Sequence, residues 1–343
     1  MSAGIRKNLL VTGGAGFIGA NFLCYFVPRH AHMRVINVDN LTYASDLSYL
    51  DEVKDAPNYI FEKADINDMA HMQQLFQRYD IDSVIHFAAE SHVDNSISGP
   101  SAFLRTNVGG TFNLLECARE AWMEAPHRMK KGKEQACFYQ ISTDETYGTL
   151  GKEGFFTEES PYLPNSPYSA SKASADLFVR SYHHTYGLPT LRSNCSNNYG
   201  PKQHQEKFIP TIIRTATANQ SIPIYGTGTN VRDWLYVEDH CRAIETIFMK
   251  GQMGESYNIG GDQELDNLTL ARTICSLLDN LRPRKEGSYQ DLLTFVADRP
   301  GHDLRYAIDH TKLTSALSWR PEEDLHSGLE KTVAWYLQHN EKR

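Results

Sequence analysis

Leu9-Leu-Val-Thr-Gly-Gly-Ala-Gly-Phe-Ile-Gly19 passes from a short apolar run through glycines at 13, 16 and 19 into a stretch of helical character. The three glycines answer three demands of a dinucleotide cradle. One is a turn with unusual backbone angles, another is close approach of a pyrophosphate to a helix N-terminus, and the last is tight packing of that helix on its strand. By itself the pattern is a weak signal, and its context strengthens it. Asp39 ends the next strand-like run, twenty residues after Gly19, where a carboxylate can bind both ribose hydroxyls. The same carboxylate repels a 2′-phosphate, so the expected cofactor is NAD. Phe17 and Ile18 carry the turn into the helix, and Asn40, Leu41, Thr42 and Tyr43 are expected to flank the adenosine. Asp65 and Ile66 border the adenine, while Ala88, Ala89 and Ser91 end a further strand with small side chains that let a dinucleotide pass close to the backbone.

Outward from the cradle, residues up to about 200 alternate strand and helix. Strands are expected at 8–12, 34–38, 59–62, 83–87, 137–142 and 190–194, separated by helix-length segments such as 68–79, 101–122 and 169–186. This predicts an α/β, Rossmann-type, doubly wound parallel sheet with helices on both faces. The Lys-rich stretch 125–135 is expected to be an exposed loop. Beyond Gly200, prolines at 201, 210 and 223 and glycines at 226 and 228 punctuate shorter elements. We therefore expect a NAD-binding domain over 1–200 and, over 201–343, a smaller mixed α/β lobe for substrate, with 256–259 returning to the main sheet.

Composition narrows the partners. The 343 residues carry a formal charge of -8 and are 41% hydrophobic, which gives no general electrostatic attraction to nucleic acid or to an anionic membrane. Six widely spaced cysteines form no CxxC pair, so neither a metal site nor a disulfide framework is suggested, and a reducing cytoplasmic setting is the simplest account. Arg6 and Lys7 before an apolar stretch loosely mimic a signal peptide, but glycines at 13, 14, 16 and 19 interrupt it.

Two further motifs carry chemistry. Thr143, Asp144 and Glu145 follow an apolar strand, and in a parallel sheet that end opens into the ligand crevice. An isolated triplet of this kind is more often a solvated strand end. Tyr168 and Lys172 are spaced four apart on a helix, hence on one face. Behind a dinucleotide cradle that pair reads as a phenol base beside an ammonium that lowers its pKa.

With TGGAGFIG, the acidic strand end and YxxxK in this order, the chain resembles the extended short-chain dehydrogenase/reductase family. It is closest to the nucleotide-sugar 4,6-dehydratases, above all those acting on dTDP-glucose. Matching stretches run from Ala88-AESHVD94 through Ser142-TDETYG148, Ser166-PYSASKASAD176, Asn194-CSNNYGP201, Arg232-DWLYVEDH240 and Tyr257-NIGG261 to Asp298-RPGHDLRY306. The resemblance implies that Tyr168, assisted by Thr143 and Lys172, takes the proton of a sugar 4-hydroxyl while hydride passes to NAD. Glu145 then removes the carbon-5 proton, Asp144 protonates the departing 6-hydroxyl, and hydride returns to carbon 6. It further implies that Thr106 and Asn198 join Tyr168 and Lys172 at the cofactor. Ser91, Thr143, Asn197, Lys207, Arg232, Asn267, Arg299, His302 and Tyr306 contact substrate, with Pro223, Ile224 and Tyr225 packing on the base.

The chain departs from the pattern at Asn95, Thr146 and the loop Lys202, His204 and Gln205. These leave the chemical residues intact and put the hexose and base in question, so UDP-glucose or UDP-N-acetylglucosamine is the alternative substrate. A 4-epimerase needs no acid and base for elimination, a uronate decarboxylase needs no leaving-group acid, and a non-catalytic NAD-binding regulator needs neither Tyr168 nor Lys172. The resemblance also implies a homodimer formed by the helices after Thr106 and around Tyr168.

Overall fold

The computed structural model describes residues 6–298 and 301–340. Seven strands form one sheet in the order Ser256–Ile259, Thr190–Cys195, Cys137–Thr143, Ser83–His86, Asn8–Thr12, Arg34–Asp39 and Tyr59–Lys63. Every pairing is parallel. The strands form where sequence concentrates apolar and β-branched residues, and Cys137–Thr143 is buried along its whole length because helices cover both faces. One face packs Phe22, Leu23 and Phe26 against Ile244, Ile247 and Phe248. The other packs Leu75 and Phe76 against Leu114, Leu115, Trp122 and Val179.

Strand order reverses beside Asn8–Thr12: the next strand, Arg34–Asp39, lies on one side and Ser83–His86 on the other. This switch point opens a crevice at the carboxyl ends of the strands. Gly13 makes the first turn there with φ +72, and a Cβ on it would lie 2.6 Å from Ala88 N and 2.7 Å from Ala88 Cα. Backbone meets backbone, so nothing flexible can yield. Gly13→Ala is expected to cost about 2 kcal/mol or more of stability, read from the denaturation midpoint, and to weaken dinucleotide binding. An unchanged midpoint would show that this turn tolerates a side chain.

Three local expectations need correction. The stretch 125–135 is not wholly loop, because Met123–Ala125 pairs antiparallel with Arg128–Met129 in a short hairpin. The helix expected over 101–122 is interrupted: a wide π-type turn spans Leu104–Gly110 before the regular helix Thr111–Trp122. Gly110 sits so close to Ile66 that a Cβ would lie 2.3 Å from its side chain. Finally, the strand Cys137–Thr143 runs on to include Thr143, whose side chain caps the 3-10 turn Asp144–Tyr147 by accepting from Glu145 N.

After Cys195 the chain leaves the main sheet. Asn197–Tyr199 pairs with Val231–Tyr236, which also pairs with Glu264–Asp266, and Ile222–Tyr225 pairs with Leu293–Val296. These elements share a separate core that includes Ile212, Ile213, Ile274, Leu278, Leu329 and Val333. Only Ser196 separates the strand Thr190–Cys195 from Asn197–Tyr199, so a single residue carries the chain from one sheet to the other. Among the described residues no helix is long and apolar enough to cross a membrane.

Candidate active site

A cavity of about 420 Å³ occupies the switch-point crevice. Its floor includes Gly13, Gly16, Phe17, Ile18 and Gly19, its acidic end Asp39, Asn40, Thr42, Asp65 and Ile66, and its flank Ala88, Ala89, Ser91 and Thr106. Farther along the same cavity stand Thr143, Asp144, Glu145, Tyr168, Lys172, Asn197, Asn198 and Lys207. Residues spread from 13 to 207 in sequence are thus gathered into one space by the strand ends.

The cradle fits a dinucleotide. Gly16 caps the helix Phe17–Phe26 with no side-chain hydrogen bond, so the first helical N–H groups are bare toward a ligand. A Cβ on Gly16 would meet nothing nearer than Gly13 O at 3.4 Å, so packing alone does not demand a glycine there. Asp39 is fixed by donors from Ala15 N at 2.9 Å, Leu41 N at 2.8 Å and Ser45 Oγ at 2.9 Å. Leu41 does not line the cavity; with φ +58 it turns its backbone N–H onto the Asp39 carboxylate instead. Beneath the cradle, His86 bridges Thr12 Oγ1 at 2.6 Å and Thr111 Oγ1 at 3.0 Å. Burial, then Lys172, pulls its pKa down to about 3, so the ring is a neutral strut.

The catalytic end combines a buried acid with a buried phenol. Asp144 is 1% exposed. Burial, then the charges of Glu145 and Asp233, pushes its carboxyl well above the ordinary range, against opposing effects of Arg232 and a Thr143 hydrogen bond. Its Oδ1 accepts from Thr143 Oγ1 at 3.3 Å, while Oδ2 has no hydrogen-bond partner among the described residues. Glu145 Oε2 accepts from Ser169 Oγ at 3.3 Å. Neighbouring carboxyls on one strand end thus have different surroundings.

Tyr168 departs from expectation. Its phenol is pushed well above the ordinary value by burial, then by Glu145, Cys195 and Asp144. The Lys172 ammonium donates to Ile141 O at 2.7 Å. Burial lowers the pKa of Lys172 itself, opposed by Asp176. A hydrogen bond with Thr143 favours the phenolate.

Of the remaining expected substrate residues, those described do not line this cavity. Arg232 is buried, donates to Val231 O at 2.7 Å and Asp303 O at 3.0 Å, and lies 4.4 Å over the Tyr306 ring. Tyr306 donates to Asp303. His302 pairs with Asp298 at 2.6 Å. Asn267 begins the helix Asn267–Leu281. Pro223 and Tyr225 keep partial exposure, but the Ile224 side chain is fully buried in the lobe's core, so alternation along the strand removes it from any base-contacting face. Arg299 lies outside the described residues. Sequence reasoning passed over Ser45, Arg105, Gln203 and Glu206, which also belong to the site. Glu206 was within reach, adjoining Lys207. Ser45 had no signal, since its link to Asp39 exists only once the loop after the strand folds back. Among the described residues no group of three His, Cys, Asp or Glu side chains is arranged to hold a metal ion.

A dinucleotide cradle continuous with a Tyr/Lys helix and a Thr-Asp-Glu strand end defines an extended short-chain dehydrogenase/reductase of the sugar-nucleotide-modifying kind. More narrowly, the chain belongs to the GDP-mannose 4,6 dehydratase family, whose model matches residues 10–332. It is 50% identical over 342 residues to a dTDP-glucose 4,6-dehydratase of Neisseria gonorrhoeae, covering 98% of each chain. Among solved structures it is similar to dTDP-glucose 4,6-dehydratase of Bacillus anthracis in complex with NAD, with 42% identity, TM-score 0.85 and 98% of each chain covered. It is also similar to the enzyme DesIV of Streptomyces venezuelae with NAD and TYD bound, with 41% identity, TM-score 0.87 and 98% of each chain covered.

Proposed function

We propose that the protein is an NAD-dependent nucleotide-sugar 4,6-dehydratase that converts dTDP-glucose to dTDP-4-keto-6-deoxyglucose. The observation that carries this reading is Asp144: a buried carboxyl, held toward its neutral form beside Glu145, in the same cavity as Tyr168 and Lys172. Similarity to dTDP-glucose 4,6-dehydratases along nearly the whole chain supports the substrate. NAD held by the Gly13–Gly19 cradle and Asp39 supplies a hydride acceptor and donor.

Tyr168, acting as the phenolate beside Thr143, receives the proton of the sugar 4-hydroxyl and becomes the neutral phenol. The ketone so formed acidifies carbon 5, and Glu145 takes that proton. Asp144, its carboxyl held toward the protonated form by burial, gives its proton to the 6-hydroxyl as it leaves as water. Burial of Tyr168 and Asp144 keeps bulk water from the reactive ketone. Lys207 and Asn197, on the cavity wall, and Arg232, beyond it, are assigned to the substrate, and the segment after Gly200 supplies most of its lobe. Incubation with dTDP-glucose should yield a base-labile 4-keto chromophore and a product lighter by one water. If UDP-glucose or UDP-N-acetylglucosamine were the better substrate, the base assignment would fail while the chemistry stood; an isomer of the substrate would establish epimerisation.

A homodimer fits the surface. Leu104, Phe112, Leu177 and Phe178 are exposed on neighbouring helices, and the Phe112 and Phe178 rings meet edge-on at 6.2 Å. The double variant L177E/F178E is expected to sediment as a monomer where the parent sediments as a dimer; parent and variant sedimenting alike would remove this face from the interface. The six unpaired cysteines fit a reducing cytoplasm.

A further inference from the structure

The one-residue passage between the two sheets is braced by a buried histidine outside the catalytic set. Cys195, Ser196, Asn197 and Asn198 all line the cavity, so the switch from one sheet to the other is itself a stretch of cavity wall. The Asn198 side chain folds back on this stretch: Nδ2 donates to Ser196 O at 3.0 Å and to Cys195 Sγ at 3.3 Å. With Nδ2 committed to a carbonyl, Oδ1 is left as an acceptor. It lies 2.8 Å from His240 Nδ1.

That contact fixes the imidazole. An amide oxygen can only accept, so Nδ1 carries the proton and Nε2 is a bare lone pair. His240 is fully buried, and Nε2 has no partner among the described residues. A second proton would place an unpaired charge in the interior, and the first turn of the helix Val237–Lys250 adds the unfavourable positive end of the helix dipole. Burial accordingly pulls the His240 pKa down to about 3. Any apolar residue could fill this volume without leaving a buried nitrogen unsatisfied; the Nδ1–H bond to Asn198 is what an apolar residue could not make.

We propose that His240 is a positioning residue for the dehydratase, acting as a permanent Nδ1–H donor that holds Asn198 and thereby the Cys195–Asn198 wall against the cofactor and sugar. It deepens the function proposed above and rests on it. The wall adjoins the chemistry directly, since Cys195 pairs in register with Thr143 and lines the same cavity as Tyr168 and Asp144.

The test compares His240→Asn, His240→Gln and His240→Phe in the full-length protein. Asparagine presents an N–H near the Nδ1 position, whereas the longer glutamine presents its amide near Nε2 and phenylalanine presents none. Retention of NAD through gel filtration and the rate of reduced-cofactor formation on adding dTDP-glucose are the readouts. Phenylalanine and glutamine should each lose about tenfold in cofactor affinity or first-step rate, with asparagine restored to within about twofold. Loss of packing alone would not produce that order. Asparagine performing no better than phenylalanine, or phenylalanine matching the parent, would overturn the proposal. If the variants fail to fold, nitrogen NMR of the parent with labelled histidine decides: a neutral Nδ1–H tautomer unchanged from pH 5 to 8 is expected, and an Nε2–H tautomer or a titration in that range overturns it. Failure of the parent to dehydrate dTDP-glucose would instead count against the proposed function, since cofactor retention is read without it.

Discussion

Tyr168→Phe is expected to lower the first step, oxidation at carbon 4, by roughly a thousandfold or more, or about 4 kcal/mol of barrier. The expected result is no reduced-cofactor absorbance in a single turnover. The fold should be indifferent to the change. Tyr168 is 9% exposed and its ring packs edge-on against Phe103 at 6.3 Å, contacts that phenylalanine retains. The change removes only the oxygen that receives the substrate proton. Because burial and nearby carboxylates push the phenol up in this structure, the base depends on what enters the cavity to become effective. Thr143 favours the ionised form, so Thr143→Val should weaken the same step in the same direction. A Tyr168→Phe variant that oxidises substrate at the parent rate would remove Tyr168 from the base role.

Asp144→Asn is expected to divide the reaction in the middle. The carboxamide has nearly the same shape but cannot surrender a proton as an acid. Elimination should slow by roughly a hundredfold or more while oxidation at carbon 4 persists, so reduced cofactor accumulates. The pH dependence has a definite sign. Asp144 works in its protonated form, and its pKa is raised, so the acid step is available below that raised value and fades as pH climbs through it. The same shift bears on stability. Between the unfolded pKa and the raised folded value the native state binds more protons than the unfolded chain, so stability falls as pH rises across that window. At neutral pH Asp144→Asn removes this penalty, and its denaturation midpoint should equal or exceed the parent's. Full turnover, or an unfolded protein, would contradict the assignment.

Much of the architecture was legible because its signals are local. Apolar runs such as Leu9-Leu-Val and Ser83-Val-Ile mark strands buried on both faces, and the glycine spacing after the first of them marks the crevice. The parallel pairing of the strands follows from the alternation of strand and helix, since crossover connections of that kind join parallel strands. The hairpin at Met123–Met129 was missed because two- and three-residue strands carry too few side chains to show a period. The wide turn at Leu104–Gly110 was missed because a π-type ring changes hydrogen bonding without changing composition.

At the site, motifs show which side chains arrive but not what they touch on arrival. The spacing of Tyr168 and Lys172 correctly placed them on one helix face, yet it could not show that the ammonium turns to the Ile141 carbonyl. Nor could a strand pattern around Pro223 reveal that Ile224 faces the core, since the sheet it joins is completed by Leu293–Val296, some seventy residues later. For Asp144 the acid role was implied by the resemblance alone, while its burial at the end of a central strand is visible only in the fold. His240 ends the matching stretch Arg232–His240, but the motif does not show what it touches: its partner is forty-two residues away, across a strand pair.

The central claim is that one cavity oxidises carbon 4, expels water across carbons 5 and 6, and reduces carbon 6 without releasing its cofactor. It is tested most directly with dTDP-glucose carrying deuterium at carbon 4, the product being examined by NMR and mass spectrometry. The account predicts a 4-keto-6-deoxy product lighter by one water, with the deuterium at carbon 6, a solvent-derived proton at carbon 5 and no net consumption of NAD. A product isomeric with the substrate and still labelled at carbon 4, or a dehydrated product that has lost the label, would contradict it.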